Sequence, residues 1–233
     1  MNISLIIPTL NESGSIPKLF QGLEAAVREL GPAHSFEAIV VDDGSSDGTP
    51  QTVRAQHVMF PTKVVVRSER GLATAVLRGF AEAQGDLLGV IDADLSHPTE
   101  LIPELVRQAE QHELVVASRN IPGGAVEEWP WYRRFMSWFA TLLTRPLGIK
   151  INDPMSGYFF FHRAVLDRAA CSPLGYKILL EILVKGKYRS AVEVPYVFRN
   201  RGIGKSKMGS RETVNYLRHL SKLYAWKYLG RRA

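Results

Sequence analysis

Cysteine is nearly absent: Cys171 is the one thiol in 233 residues. An internal disulfide is thereby excluded, and with it a small disulfide-stapled secreted fold. Long hydrophobic runs are also missing. The most apolar stretch, FMSWFATLL at 135–143, is too short and too polar to span a bilayer. The N-terminus, MNISLIIPTLNE, lacks the basic flank and long apolar segment of a secretory leader. No repeat, no low-complexity tract and no linker rich in proline, glycine or serine divides the chain. The expectation is one domain with a C-terminal extension that does not cross a membrane by itself.

What is present suits a globular protein. Hydrophobic residues make up 45% and charged residues 22%, enough to build a sizeable core. Charge is divided unevenly. From Lys185 onward there are 13 basic and 2 acidic residues, a net of +11, which leaves 16 basic and 21 acidic residues before it, a net of −5. An acidic body with a basic tail suits a polyanionic partner such as a membrane surface or phosphates, although a solvated basic face has the same composition.

Apolar strands and amphipathic helices alternate along the first half. Strands are predicted at 3–8, 36–45, 63–68, 86–92 and 113–119. Helices are predicted from Ser13 or Ser15 to Leu30, over Thr49–Met59, and over 72–83 and 98–111. The strands are apolar on both faces, which predicts an α/β fold with a mostly parallel sheet flanked by helices. Beyond residue 120 the expected elements are an amphipathic helix within 124–148, a strand turning into helix at 157–166, a helix at 176–186, a strand then loop at 191–201 and a basic helix at 210–230.

In such sheets ligands bind beyond the carboxyl ends of the strands. Polar residues gather there: Asn11 and Glu12 after the first strand, Asp42 and Asp43 after the second, Asp92 and Asp94 after the fourth. Alternate residues on a strand point the same way, so Asp92 and Asp94 are expected to converge. Two such carboxylates repel unless a cation or a proton lies between them, and a hard ion such as Mg²⁺ or Mn²⁺ suits both oxygens and substrate phosphates. Capping of the following helix explains one of these acids but not both. DDGSSDGT is good turn sequence, yet an acid ending a buried strand also suits a nucleoside.

PTLNE (8–12), VVDDGSSDGT (40–49) and IDADLSHP (91–98) resemble the signature blocks of family 2 inverting glycosyltransferases, whose fold is termed GT-A. ASRN (117–120), INDPMSGYFFFHR (151–163), PLGYKILLEILVKG (173–186), VEVPYVFRNRGIGKSKMG (192–209) and YLRHL (216–220) are similar to blocks of the dolichyl- or polyprenyl-phosphate mannosyltransferases, here of a type without transmembrane helices. The resemblance implies a glycosyltransferase domain over 1–209 and a basic, aromatic helix over 210–233 at a membrane surface. It implies that Pro8, Thr9, Glu12, Val41 and Asp43 bind the nucleoside. It places Asp92, Ala93 and Asp94 at the diphosphate, with Asp92 and Asp94 on a metal, Mg²⁺ or Mn²⁺. Arg119, Arg133 and Ser137 match acceptor-phosphate positions, and Arg134 competes with Arg133 for that role. Arg201 and Lys207 also address phosphate, while Asp94, Arg201 and Asp153 form the expected catalytic set. Three positions depart from the family pattern: Leu10 replaces a common aromatic, Ser96 a glutamine near the metal, and Lys205 a glutamate.

The expected partners follow. The donor is a nucleotide sugar, GDP-mannose or else UDP-glucose, and the acceptor is a polyprenyl or dolichyl phosphate. The protein is expected on the cytoplasmic face of a membrane, docked on its surface or on a membrane-protein partner. The final helix, with Tyr216, Tyr224, Trp226 and Tyr228 among basic residues, suits either a membrane interface or core packing, and so does 129–143. Transfer to a soluble hydroxyl would need a base, for which Asp153 is the candidate. Nucleic-acid binding is disfavoured because the acidic clusters repel phosphate and no known module is present. A nucleotide-binding scaffold without catalysis leaves Asp92, Asp94 and Arg201 unexplained.

Overall fold

The computed structural model describes residues 1–127, 129–167, 171, 177–198 and 210–230, with 210–212 as backbone only. Strand β1 (Asn2–Thr9) runs through the middle of the molecule and is apolar on both sides. Ile3, Leu5 and Ile7 face one core cluster while Ile6 faces the other, which forces the strand to be covered twice. Helix α1 (Ile16–Leu30) follows, burying Ile16, Leu19, Phe20, Leu23 and Ala26 at helical spacing. Ser15 stands at its N-terminal boundary without capping it: its hydroxyl instead bonds the Glu12 carbonyl at 2.9 Å. Gly31, at φ 70°, ends the helix in a conformation that favours glycine.

The remaining strands are β2 (Ser35–Asp42), β3 (Thr62–Val66), β4 (Leu87–Val90), β5 (Leu114–Ser118), β6 (Ala125–Val126), β7 (Phe159–His162), β8 (Ala191–Pro195) and β9 (Val197–Phe198). Six of them join β1 in one sheet of order β3-β2-β1-β4-β7-β5-β8, and β6 pairs with β9 apart from it. All pairings in the large sheet are parallel except those of β7, which runs antiparallel between β4 and β5. Its three phenylalanines, Phe159, Phe160 and Phe161, are fully buried. Truncating any of them to alanine should cost about 3–5 kcal/mol.

Helices α1, α2 (Thr49–Arg54) and α4 (Ile102–Ala109) cover one face of the sheet. Helices α3 (Leu72–Glu82), α6 (Ile178–Lys185) and α7 (Ser210–Tyr228) cover the other. Helix α5 (Trp131–Leu142) buries only Thr141. Helix α2 is shorter than predicted. Phe60 turns inward between Phe20 and Phe36, and Pro61 disfavours helix before it, so the chain leaves the helix at Arg54. The predicted helix within 124–148 divides at Pro130 into β6 and α5 and ends in a 3-10 turn at Arg145–Leu147.

Helix α7 packs by His219, Leu220 and Leu223 and reaches across to the end of α5. Tyr216 donates to the Ala140 carbonyl at 2.6 Å and Tyr224 to that of Leu143 at 2.8 Å, while Tyr228 and Lys227 donate to Pro146 and Leu147. These are carbonyls that a helix end leaves without intrahelical partners. Packing against the body of the protein therefore accounts for Tyr216 and Tyr224, whereas Tyr228 is 59% exposed. No helix among the described residues is long and apolar enough to cross a membrane.

Candidate active site

The chain proceeds from β1 to β2 and β3 on one side and then to β4 on the other, so the topology switches beside β1. Strands β2, β1 and β4 are contiguous and parallel. Their carboxyl ends bring Glu12, Asp42, Asp43, Asp92 and Asp94 to one edge of the sheet, where α/β proteins bind ligands.

Asp42 is consumed by its turn. It accepts the Thr9 hydroxyl at 3.0 Å, the Ser45 amide at 2.8 Å and the Ser45 hydroxyl at 2.5 Å. Asp43 is held differently. Arg67 grips its Oδ1 through Nε at 2.9 Å and Nη2 at 2.6 Å, and the Gly71 amide donates to Oδ2 at 2.8 Å. Pro8 and Val41 are register partners buried in the sheet, so a nucleoside would meet them through backbone or ring edge. The loop after β1 is tied to the turn after β2. The Glu12 amide donates to the Thr49 hydroxyl at 2.9 Å, and the Ser13 amide to Asp47 Oδ2 at 3.0 Å. Burial works against the Asp47 charge, but hydrogen bonds from Thr49 and Ser13 outweigh it and hold the carboxyl at about 2.

Asp92 and Asp94 lie past the strand rather than on it. Strand β4 ends at Val90 and the chain turns, with Leu95 at φ 63°. Strand alternation therefore does not orient the two acids; the turn does. Asp94 Oδ1 closes that turn by accepting the Ser96 amide at 3.0 Å. Ala93 is buried beneath. Asp92 Oδ2 lies 3.2 Å from His97 Nε2. Among the described residues, no three His, Cys, Asp or Glu side chains gather to cage a metal. Two carboxylates nevertheless fit an ion that leaves most of its shell to phosphates and water. The Ser96 hydroxyl is buried and has no partner among the described residues, and it is the kind of hard oxygen such an ion takes.

Beyond β5, Arg119 and Asp153 pair. Nε meets Oδ2 at 2.7 Å and Nη2 meets Oδ1 at 2.8 Å. Asp153 is 1% exposed. Burial opposes the Arg119 charge, but the Asp153 hydrogen bonds and charge more than reverse this and hold the guanidinium above its ordinary value. Asp153 is thus placed to orient Arg119, and its engaged, buried oxygens do not suit a general base. Glu193 supports the Asp153 segment from β8, accepting the Asp153 amide at 3.0 Å and the Asn152 amide at 2.8 Å.

Arg119 lies 5.5 Å from the Phe198 ring centroid and 5.8 Å from that of Trp129, and Arg133 stacks on Trp129 at 4.0 Å. Arg134 points elsewhere, donating to the Val126 carbonyl at 3.2 Å. Ser137 lies on α5, half-buried. Arg201, Lys205 and Lys207 lie outside the described residues. Arg67, His97, Trp129 and Glu193 were not singled out from sequence. Only His97 carried a local signal there, its place in DLSHP beside the acids.

Comparison with known proteins fits this geometry. Residues 4–169 match the family model described as Glycosyl transferase family 2. The chain is 41% identical over 232 residues to the dolichol-phosphate mannosyltransferase of Pyrococcus furiosus, covering 97% of this chain and 65% of that protein. It is 38% identical to the dolichol-phosphate mannosyltransferase of Saccharomyces cerevisiae, covering 97% of this chain and 88% of that one. It thus spans slightly less than two thirds of the archaeal relative and most of the yeast one. Glucosyl-3-phosphoglycerate synthase from Mycobacterium tuberculosis, solved with Mn²⁺, uridine diphosphate and glucosyl-3-phosphoglycerate, shares the fold at TM-score 0.68 and 20% identity, over 100% of this chain and 81% of that one. The switch-point acids, the GT-A fold and the match over most of the chain lead to one assignment: this protein belongs to glycosyl transferase family 2.

Proposed function

We propose that the protein transfers mannose, with inversion, from GDP-mannose to a dolichyl or other polyprenyl monophosphate. The observation that carries this reading is the near-full-length similarity to the yeast dolichol-phosphate mannosyltransferase. The acceptor chemistry agrees with the site. A phosphate monoester, with a second pKa of about 6, is already an anionic nucleophile at neutral pH. Its oxygen bonds the anomeric carbon, and the electron pair of the breaking C–O bond leaves with the nucleoside diphosphate. No base is needed, which agrees with a buried and paired Asp153.

In this reading Pro8, Thr9, Glu12, Val41 and Asp43 form the nucleoside side. Asp92 and Asp94, with Ala93 between them, hold Mg²⁺ or Mn²⁺, which when bound neutralises charge growing on the leaving diphosphate. Arg119, Arg133 and Ser137 meet the acceptor phosphate, together with Arg201 and Lys207. The stacking on Trp129 favours Arg133 over Arg134. Residues 1–209 form the catalytic domain, and 210–233 the basic helix beside the membrane. The protein works peripherally at the cytoplasmic face. Exposed rings on α5 support contact with a membrane surface: Trp131 is 78% exposed, and Phe135, Trp138 and Phe139 are about half exposed.

The test is sugar transfer to a short polyprenyl phosphate in detergent with Mn²⁺ or Mg²⁺, offering GDP-mannose and UDP-glucose separately. Product from GDP-mannose alone, lost with EDTA and in Asp94→Asn at unchanged fold, is the expected result. Product from UDP-glucose alone overturns the donor, and near-normal turnover of Asp94→Asn overturns the metal site.

A further inference from the structure

His97 is 4% exposed yet makes one polar contact, its Nε2 to Asp92 Oδ2 at 3.2 Å. Its other nitrogen, Nδ1, is buried and has no partner among the described residues. A buried imidazole with one nitrogen unmatched loses hydrogen-bond energy. The lone bond it keeps therefore calls for an explanation. Around the ring stand Tyr158, Tyr196 and Phe198, at centroid distances of 5.2, 5.5 and 5.6 Å. They come from three places: the segment before β7, the link between β8 and β9, and β9 itself. Tyr158 is itself anchored through its hydroxyl to the Pro98 carbonyl at 3.0 Å.

Gly157 completes the arrangement. A Cβ built there would stand 3.1 Å from Asp92 Oδ2 and 3.5 Å from His97 Nε2. A glycine at this position lets the backbone press against the His97–Asp92 contact itself. The ring cannot translate because of the cage. The carboxylate oxygen is bounded by the imidazole on one side and the Gly157 backbone on the other. An imidazole nitrogen facing a carboxylate oxygen must carry the hydrogen, since two acceptors at that distance repel. The hydrogen facing Asp92 is therefore assigned to Nε2.

We propose that His97 is a positioning residue that fixes the rotamer of Asp92 through an Nε2–H donor, so that the other carboxylate oxygen stays aimed at the cation. This rests on the metal reading of Asp92 and Asp94 above. Outer partners that orient ligating groups are worth about 10–100-fold in metal affinity. The cage also links the acid to β9: Phe198 touches His97, Trp129 and Arg119, so the donor-side carboxylate and the Arg119 ion pair share one aromatic wall.

The experiment titrates Mn²⁺ by electron paramagnetic resonance into protein holding GDP or UDP, whichever the wild type binds. His97→Phe keeps a ring in the cage but has no donor. His97→Gln places an amide nitrogen near the position of Nε2. The expected result is Mn²⁺ affinity about 10–100-fold weaker in His97→Phe, largely restored in His97→Gln, with metal-free nucleotide affinity equal in all three. Wild-type affinity in folded His97→Phe overturns the inference. Wild-type protein that takes up no Mn²⁺ with either nucleotide removes the metal reading instead, and the inference with it. A measurement independent of folding is the nitrogen-15 histidine spectrum of the wild type. An Nε2–H signal that shifts on adding Mg²⁺ and nucleotide supports the assignment, and an Nδ1–H tautomer for His97 overturns it.

Discussion

Arg119 and Asp153 form a closed fork, with two side-chain bonds of 2.7 and 2.8 Å and the Arg119 amide adding a third contact to Oδ2 at 3.1 Å. Asp153 is buried and the Arg119 side chain is 12% exposed. Removing one partner strands a charge away from water, which costs about 3–5 kcal/mol. Asp153→Ala is expected to lose that much stability in urea unfolding. The paired change Arg119→Met with Asp153→Leu is expected to lose much less, because no charge is left behind. Arg119→Lys should not rescue the site, since an ammonium cannot supply the two-point geometry.

Asp43, proposed to bind the nucleoside, is gripped by Arg67. Arg67→Ala leaves its carboxylate without the guanidinium that orients it. Nucleotide affinity is expected to fall about tenfold, equivalent to about 1.4 kcal/mol, in calorimetric titration. An unchanged dissociation constant would move Asp43 out of the nucleoside site and leave it a structural acid.

The pH dependence of the loop clamp follows from Asp47. Its folded carboxyl lies at about 2, below the ordinary aspartate value of 3.8. A depressed carboxyl stabilises the fold above the unfolded value, and that contribution is lost as pH falls from about 4 towards 2. Asp47→Asn should therefore flatten the acid limb of the stability curve over that window and leave the neutral limb parallel to wild type. Thermal melts at stepped pH measure this directly, and an unaltered acid limb would place the acid sensitivity elsewhere.

The exposed face of α5 predicts membrane affinity. Full burial of a large apolar side chain contributes about 1.5–3 kcal/mol. Trp131→Ala, Phe135→Ala and Trp138→Ala together should weaken sedimentation with vesicles by more than about tenfold, even with partial insertion of each ring. Nucleotide binding should not change. Equal sedimentation of the triple variant would assign the patch to another partner.

Much of the fold was readable from residue patterns. The strands of the first half are apolar on both faces, and the intervening helices carry their apolar residues three and four apart, so both periods were unambiguous. The direction of β7 was not readable, because FFFH is uniformly apolar and carries no mark of which neighbour it pairs with. The site was readable where acids end strands and unreadable where partners arrive from distant loops. Nothing near Arg67 announces Asp43, which lies 24 positions away. Strand alternation, from which Asp92 and Asp94 are expected to converge, does not apply to them, because β4 ends at Val90 and a left-handed residue, Leu95, shapes the segment that follows.

The antiparallel insertion of β7 also constrains the order in which the molecule can be completed. Residues 87–90 and 114–116 do not pair with each other; the first pair with 159–162 and the second with 159–161. A growing chain therefore makes the acidic half and the Arg119 half before it makes the strand that joins them. Until β7 arrives, β5 has no neighbour on that side and presents an unpaired edge. Such long-range closure slows folding and keeps that edge open until the later segment is in place. A fragment ending near residue 150 would carry nearly every acid of the site and still lack the seam that brings its two halves together.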